Sequence, residues 1–338
     1  MKHYVGLDVS QQHTAVCGID QDGKKMIWEG KCATDPHAIT ETLCARRVAI
    51  ERIEMETRPL AVWLFHALLA LGMPIVCLHA RHVHAALTVQ LNKTDGNDAA
   101  GIAQLIRSGW YRPVQVKSLR SHELRLILIA RAKMVGIRTA LYNQIRGVLK
   151  TFGVVLPAGR NRAFEQLVEQ STPASPLIGA AIAGLMDTWR GVSHQVRKLD
   201  YLLEKMAGSS EVTRRLMSVP GVGPTTAIAF VAAVDDPARF RRMADLGAYL
   251  GLTPRKYQSG EVDRNGSISK CGCRLTRYLL VEAASALLMR SKSDNRLRRW
   301  AGALLPRIGR KKTLVALARK LATVLLSMWR NQVAFRPG

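Results

Sequence analysis

The chain has 338 residues, 48% of them hydrophobic, which is enough for two domains with buried cores or three small ones and too apolar for a disordered tail. No apolar run approaches the ~18–20 residues of a membrane span, and the opening "MKHYVGLDVSQQHTAV" lacks the long apolar core of a secretory signal. The formal net charge is +25, yet residues 1–110 hold 11 basic and 11 acidic residues, so the whole excess (39 basic against 14 acidic) follows residue 110.

A ribosomal or histone-like protein is usually basic throughout, whereas this sequence joins a neutral stretch to a very basic one. A membrane-surface protein would gather its charge on one amphipathic helix. Here the charge is spread over the rest of the chain, which points to a polyphosphate partner: DNA, RNA or both. The 6 cysteines show no disulfide-framework spacing and suit a reducing cytoplasm.

In chain order, "HYVGLDV" and "TAVCGI" read as strands and "GKKMIWEGKCA" as a hairpin partner. "DPHAITETLCARR" reads as a helix opened by Asp35-Pro36. "VAIERIEME" is another strand, "RPLAVWLFHALLALG" a helix ending at Gly72, and "MPIVCLH" a further strand. Strands first, then strands alternating with helices, fit a mixed sheet flanked by helices.

Residues 118–207 read as almost wholly helical. From Ile178 the apolar positions fall at Ile182, Leu185, Trp189, Val192, Val196, Leu199, Leu203 and Met206, which is a heptad seam. Its partner is either the preceding helix, over about 121–150, or a second subunit. "STPASP", 171–176, is the expected turn before it. In the third stretch, Pro220-Gly221-Val222-Gly223-Pro224 lies between two helical patterns like a helix–hairpin–helix. Glycines such as Gly221 and Gly223 let backbone amides approach a phosphate at a helix N-terminus, although an ordinary glycine turn has the same pattern. The expected division is therefore 1–110, 111–207 and 208–338.

The acids of the neutral stretch carry the chemistry. Asp8 lies near the end of the first strand, where an apolar residue is the norm and a carboxylate needs a cation or hydrogen bonds to offset its desolvation. Glu54 and Glu56 share one face of "RIEMETRPL" by its period of two. Asp95 and Asp98 in "NKTDGNDAAGIAQL" share a face one helical turn apart. Singly, each reads as a cap or a surface charge. Together, at the ends of secondary elements and joined to a basic body, they suggest two-metal phosphodiester chemistry.

"GLDVS", "METRPL" and "NKTDGNDAAGIA" resemble the DEDD motif of RNase H-like (RuvC-like) catalytic domains. Downstream, "VPGVGPTTA", "DPARFRRMADLGAYLGLTPRKYQSGE" and "GSISKCGCRLTRYLLVEAA" are similar to the C-terminal half of the same proteins. These are the DEDD transposases of bacterial insertion sequences, relatives of Piv-type invertases and known as bridge-RNA-guided recombinases. The match spans nearly the whole chain in the right order.

The resemblance implies a fold class of α/β plus mainly α: an RNase H-like domain (1–110), a helical coiled-coil linker (111–207), and a C-terminal transposase domain (208–338) with the helix–hairpin–helix-like segment. It implies metal-binding catalytic acids at Asp8, Glu56, Asp95 and Asp98, holding Mg²⁺ in a two-metal site, and leaves Glu54 as a neighbour. It also implies a nucleophile that composition could not have found: Ser259 in "RKYQSGE", which on the residues alone is a loop serine. Arg255, Lys256, Lys270, Arg274 and Arg277 stand near it in sequence as cations for phosphate. No histidine lies nearby, so the metals of the acidic domain would supply the activation. The implied partners are donor and target DNA, a structured guide RNA encoded by the element, and further copies of the chain as a dimer or tetramer. The implied location is the cytoplasm, in association with the nucleoid.

Arg58 departs from the glycine common in the family's E-x-G, either to contact phosphate or only to change the local turn. Cys271 and Cys273 stand where other members have non-cysteine residues, without a second Cys or His pair close by for zinc. His79, His82 and His84 read as surface or RNA-contacting residues. A Holliday-junction resolvase or other RNase H-like nuclease would use the same acids with water and would not need Ser259. A sugar-kinase or actin-type ATPase should show glycine-rich phosphate loops, and none occurs in 1–110. A non-catalytic nucleic-acid-binding protein leaves the acids without purpose.

Overall fold

In the computed structural model, residues 2–23, 26–88, 92, 94–157, 162–291 and 294–337 are described. Lys24 and Lys25 of the expected hairpin partner and Lys93 of the acidic segment lie outside them. The chain forms two compact units, Met1–Leu119 and Arg120–Gly338.

The first unit is built on a five-stranded sheet in the order β3-β2-β1-β4-β5. β1 (His3–Val9), β2 (His13–Asp20) and β3 (Met26–Ala33) form an antiparallel meander, and β4 (Ile50–Glu56) and β5 (Ile75–Leu78) run parallel to β1. The helices are α1 (Pro36–Cys44), α2 (Ala61–Ala70), α3 (Ala80–Leu87) and α4 (Asp95–Ser108). Every strand and helix expected over residues 3–78 is present. Asp35 caps α1, accepting from the N–H groups of His37 and Ala38 at 2.9 and 3.0 Å.

The period of two along β1 sorts its side chains. Val5, Leu7 and Val9 pack with Leu64 and Leu68 of α2 and Ile39 and Leu43 of α1. Tyr4 packs on the other face, with Ala99 and Ala103 of α4. Gly6 lies on that face too. A Cβ there would stand 2.0 Å from the Ala99 carbonyl oxygen, so only glycine lets α4 seat directly on β1. The close approach at Gly6 sets α4 directly against the strand that carries Asp8 near its C-terminal end.

The second unit comprises α5 (Leu119–Thr151, whose first residue belongs to the first unit), α6 (Arg162–Ser171), α7 (Pro176–Ser209), α8 (Glu211–Met217), α9 (Pro224–Val234), α10 (Met243–Tyr249), α11 (Arg274–Met289) and α12 (Arg296–Asn331), with a hairpin of β6 (Pro254–Ser259) and β7 (Val262–Ile268). α12 is broken at Gly309, whose φ of 76° is non-helical, three residues after Pro306. No helix among the described residues is long and apolar enough to cross a membrane.

The heptad seam lies on α7, and its partner is within the chain. Ile182 and Trp189 pack with Ile145 and Leu149 of α5 and Phe164 of α6. Leu203, fully buried, packs with Leu124 and Leu128 of α5 and Ile228 of α9. Arg131 of α5 also pairs with Asp200 of α7. Of the two partners the periodicity allows, the preceding helix is the one seen. The seam breaks its strict repeat where buried Met186 and Ser193 replace Leu185 and Val192 at the centre of the contact.

Candidate active site

Asp8 and Glu56 come together because β1 and β4 are parallel neighbours in register. Leu7 stands beside Met55, and the two carboxylates follow one residue later, at the C-terminal ends of both strands. Each residue is 8% exposed. Asp98, also 8% exposed, reaches the same place from the first turns of α4. Asp95 begins that helix, is exposed, and lies 3.9 Å from the Lys31 ammonium of β3.

Thr94 is the N-cap, its hydroxyl accepting the Asn97 N–H at 3.1 Å. Asp98 instead faces inward.

Burial lifts the Asp8 carboxyl above the usual carboxylate range. Arg58 pulls it back down, while Asp98, Asp95 and Glu56 push it up. Asp8 therefore feels the other three acids. Among the described residues, however, no three Asp, Glu, His or Cys side chains close to metal-ligating separation around one point. Arg58 stands among these acids. Its guanidinium lies between the strand ends, 3.7 Å from Asp8 and hydrogen-bonded to Glu56. The residue that departs from the family pattern thus holds a positive charge among the acids. The donor set, all hard carboxylate oxygens with a shared charge to neutralise, fits Mg²⁺. Asp8, Glu56, Asp95 and Asp98 would hold it, with Arg58 displaced.

Glu56, Arg58 and Asp98 line a cavity of about 290 Å³ together with His84 at the end of α3. The sequence offered His84 only as one of three surface or RNA-contacting histidines. Its approach to the acids depends on how α3 returns over the sheet, and no local pattern encodes that. His79 instead caps α3 by accepting from the Arg81 N–H at 3.2 Å.

Glu54, two residues before Glu56, is fully buried beside Gly6 and Val76, and neither carboxylate oxygen has a hydrogen-bond partner. Burial pushes its carboxyl up to about 9, with Arg52 opposing weakly. The unfolded chain ionises this group near 4.5, whereas the folded chain keeps the proton until about 9. Stability is therefore complete below 4.5 and falls as pH rises through that window. In chelator-treated protein, Glu54→Met should remove the unsatisfied oxygens and raise the melting temperature. The gain should be small at pH 4 and grow towards pH 9, reaching several degrees. A lower melting temperature at every pH would show that the carboxyl is held by a compensating group.

In the second unit, Ser259 ends β6, and Gly260, at φ 53°, opens the two-residue turn that pairs Ser259 with Val262. Ser259 is exposed and belongs to a hairpin, not to a loop. Three of the five expected cations are engaged nearby. Arg255 donates to the Ser269 carbonyl at 3.3 Å, and Lys256 pairs with Asp263 at 3.2 Å. Arg277 donates to the carbonyls of Leu250 and Cys271 at 3.0 and 2.6 Å. Lys270 and Arg274 are exposed. Gly221 turns at φ 88° against α11, where a Cβ would stand 2.5 Å from the Ala283 carbonyl, so helix packing alone requires this glycine. Gly223 caps α9 with open space around it. Cys273 caps α11. Burial raises its thiol, but hydrogen bonds from Thr276 and Leu275 and the charge of Arg125 outweigh that, and the net shift is downward.

A meander continued by two parallel strands, with acids at the ends of β1 and β4 and on the helix crossing them, is consistent with an RNase H-like domain. Sequence comparison is more specific. Residues 5–153 match the IS110-type DEDD transposase family, and residues 213–300 match the transposase IS116/IS110/IS902 family. The chain is 30% identical over 340 residues to the transposase for insertion sequence element IS1111A of Coxiella burnetii, covering 99% of this chain and 91% of that protein. It is 32% identical over 257 residues to a probable family 20 transposase of Pseudomonas aeruginosa, covering 74% and 76%. A putative transposase of Sinorhizobium fredii, y4pF/y4sB, is 30% identical over 253 residues, covering 73% and 65%. The chain belongs to the IS110 family of DEDD insertion-sequence transposases.

Proposed function

We propose that this transposase is an RNA-guided site-specific DNA recombinase that cuts and rejoins strands through a phosphoserine on Ser259. The observation that carries the reading is the convergence of buried Asp8, Glu56 and Asp98 at one end of the sheet, with Asp95 at the rim. Such a cluster costs stability unless a cation completes it. Bound there, Mg²⁺ supplies Lewis acidity to phosphate oxygens.

The chain's own residues have distinct parts. The four acids hold the metal, and Arg58 shields Asp8 and Glu56 from each other until it is displaced. Lys270 and Arg274 offer exposed charge to a phosphate, and the hairpin presents the Ser259 hydroxyl at its tip. The working division is a catalytic domain over 1–110, a helical linker over 111–207 and a serine-bearing domain over 208–338. Donor and target DNA, an element-encoded guide RNA and further copies of the chain, as a dimer or tetramer, are the partners, assembled on the nucleoid.

Guiding is tested by sequencing the RNA that copurifies with the protein. A discrete species from the element flanking the gene supports it. Random cellular RNA alone overturns it. Binding of that RNA should weaken steeply with salt, as counterion release from a +25 chain requires.

A further inference from the structure

A cavity of about 700 Å³ opens in the second unit between the base of the β6–β7 hairpin and α12. Its floor is apolar, built from Ile268 and Val315, and the half-buried indole of Trp300 forms one wall. Its rim is cationic: Lys311 and Lys312, adjacent on α12, and Lys320, a little over two turns further on, all border it. Lys320 lies over the Trp300 ring with its ammonium 4.2 Å from the centroid. Among the described residues none of these three lysines is in an ion pair with a carboxylate.

The break at Gly309 ends the first helical stretch of α12, and Lys311 and Lys312, which border the opening, stand at the start of the second. An apolar slot of this size with an aromatic wall accepts a flat ring once the Lys320 ammonium moves off the Trp300 face, and lysines without a carboxylate partner accept the phosphates attached to it. Neither an apolar peptide nor a metal matches both halves.

We propose that this cavity is a nucleotide-binding site that takes one unpaired nucleobase of a bound strand, stacked on Trp300, with its flanking phosphates on Lys311, Lys312 and Lys320. The inference rests on the reading of the chain as a nucleic-acid enzyme. Pro254 and Ser267 at the cavity belong to the same hairpin that carries Ser259. Five residues of β6 separate Pro254 from Ser259, about 17 Å at ~3.3 Å per residue. A base anchored in the slot would fix the strand two or three nucleotides from the serine and so set which phosphate is presented to it.

The test uses full-length protein and oligonucleotides carrying one 5-iodouracil, which photocrosslinks to a stacked aromatic side chain. Four probes are compared: single-stranded DNA, single-stranded RNA, a duplex with the iodouracil paired, and free 5-iodouridine monophosphate. The expected result is an adduct on Trp300, mapped by mass spectrometry, with a single-stranded probe and at least fivefold less with the duplex. The DNA and RNA arms decide which strand supplies the base. Ala316→Phe fills the slot without changing charge. It should lower the affinity for the unpaired-base probe about tenfold and leave duplex affinity within twofold, with the melting temperature checked for both proteins. Salt-dependent binding of all oligonucleotides with no adduct at Trp300 in any arm overturns the site while leaving the enzyme reading intact. Crosslinking of the free nucleotide alone overturns the strand assignment. Absence of any nucleic-acid binding removes both.

Discussion

Exchanging Asp98 for Asn is expected to abolish strand cleavage, lowering the rate by about 10³-fold or more at saturating DNA. Asn keeps the shape of the side chain but removes one of the three buried acids of the cluster, the one that lines the cavity with Glu56. A divalent ion supplies several kcal/mol of transition-state stabilisation, and a missing charged ligand forfeits much of it. Because the defect is one of metal affinity, raised Mg²⁺ should restore part of the activity in Asp98→Asn, as it should in Asp95→Asn. DNA binding should be nearly unchanged, since the basic excess lies entirely after residue 110. A single-turnover cleavage assay over a Mg²⁺ series reads both effects. Undiminished cleavage by Asp98→Asn would remove the acid cluster from the mechanism.

Ser259→Ala is expected to stop cleavage and joining together, by at least as large a factor, with RNA and DNA affinity intact. One exposed hydroxyl contributes little to an interface dominated by charge. Removing the atom that forms the covalent bond leaves nothing for the metal to activate. An RNase H-like nuclease that uses water predicts the opposite pattern: loss with the acids and indifference to the serine. The two variants together therefore separate the mechanisms.

Much of the first unit was legible in the sequence, because its strands are short runs of apolar and β-branched residues bounded by turn signals, even though β1 and β2 are buried on both faces and show no alternation. The neighbour relations were not. That β4 returns parallel to β1, so that Glu56 follows Asp8 in register, is a long-range fact that no local period encodes. The resemblance implied that Asp8 and Glu56 share a metal site, but not this register.

Other features escaped for particular reasons. The seam on α7 was visible, but periodicity cannot say whether the complementary face is on the same chain, and Leu124 and Leu128 lie some eighty residues away. The β6–β7 hairpin was missed because its strands are exposed and polar on both faces, which leaves no alternation to read. The place of Arg58 depends on a long side chain folding back two residues onto Glu56, a matter of rotamer and not of pattern. Glu54 and Glu56 looked equivalent by spacing. Burial separates them, since one faces a cavity and the other has no partner at all.

The most direct measurement is the search for a covalent DNA–protein adduct. A suicide substrate, nicked so that the cleaved end diffuses away, should trap wild-type protein in a species that survives denaturation. Digestion and mass spectrometry should place the nucleotide on Ser259, and the adduct should vanish in Ser259→Ala and in the absence of Mg²⁺. Efficient cleavage without any adduct, persisting in Ser259→Ala, would contradict the phosphoserine mechanism even though the acids, the fold and the family all stood.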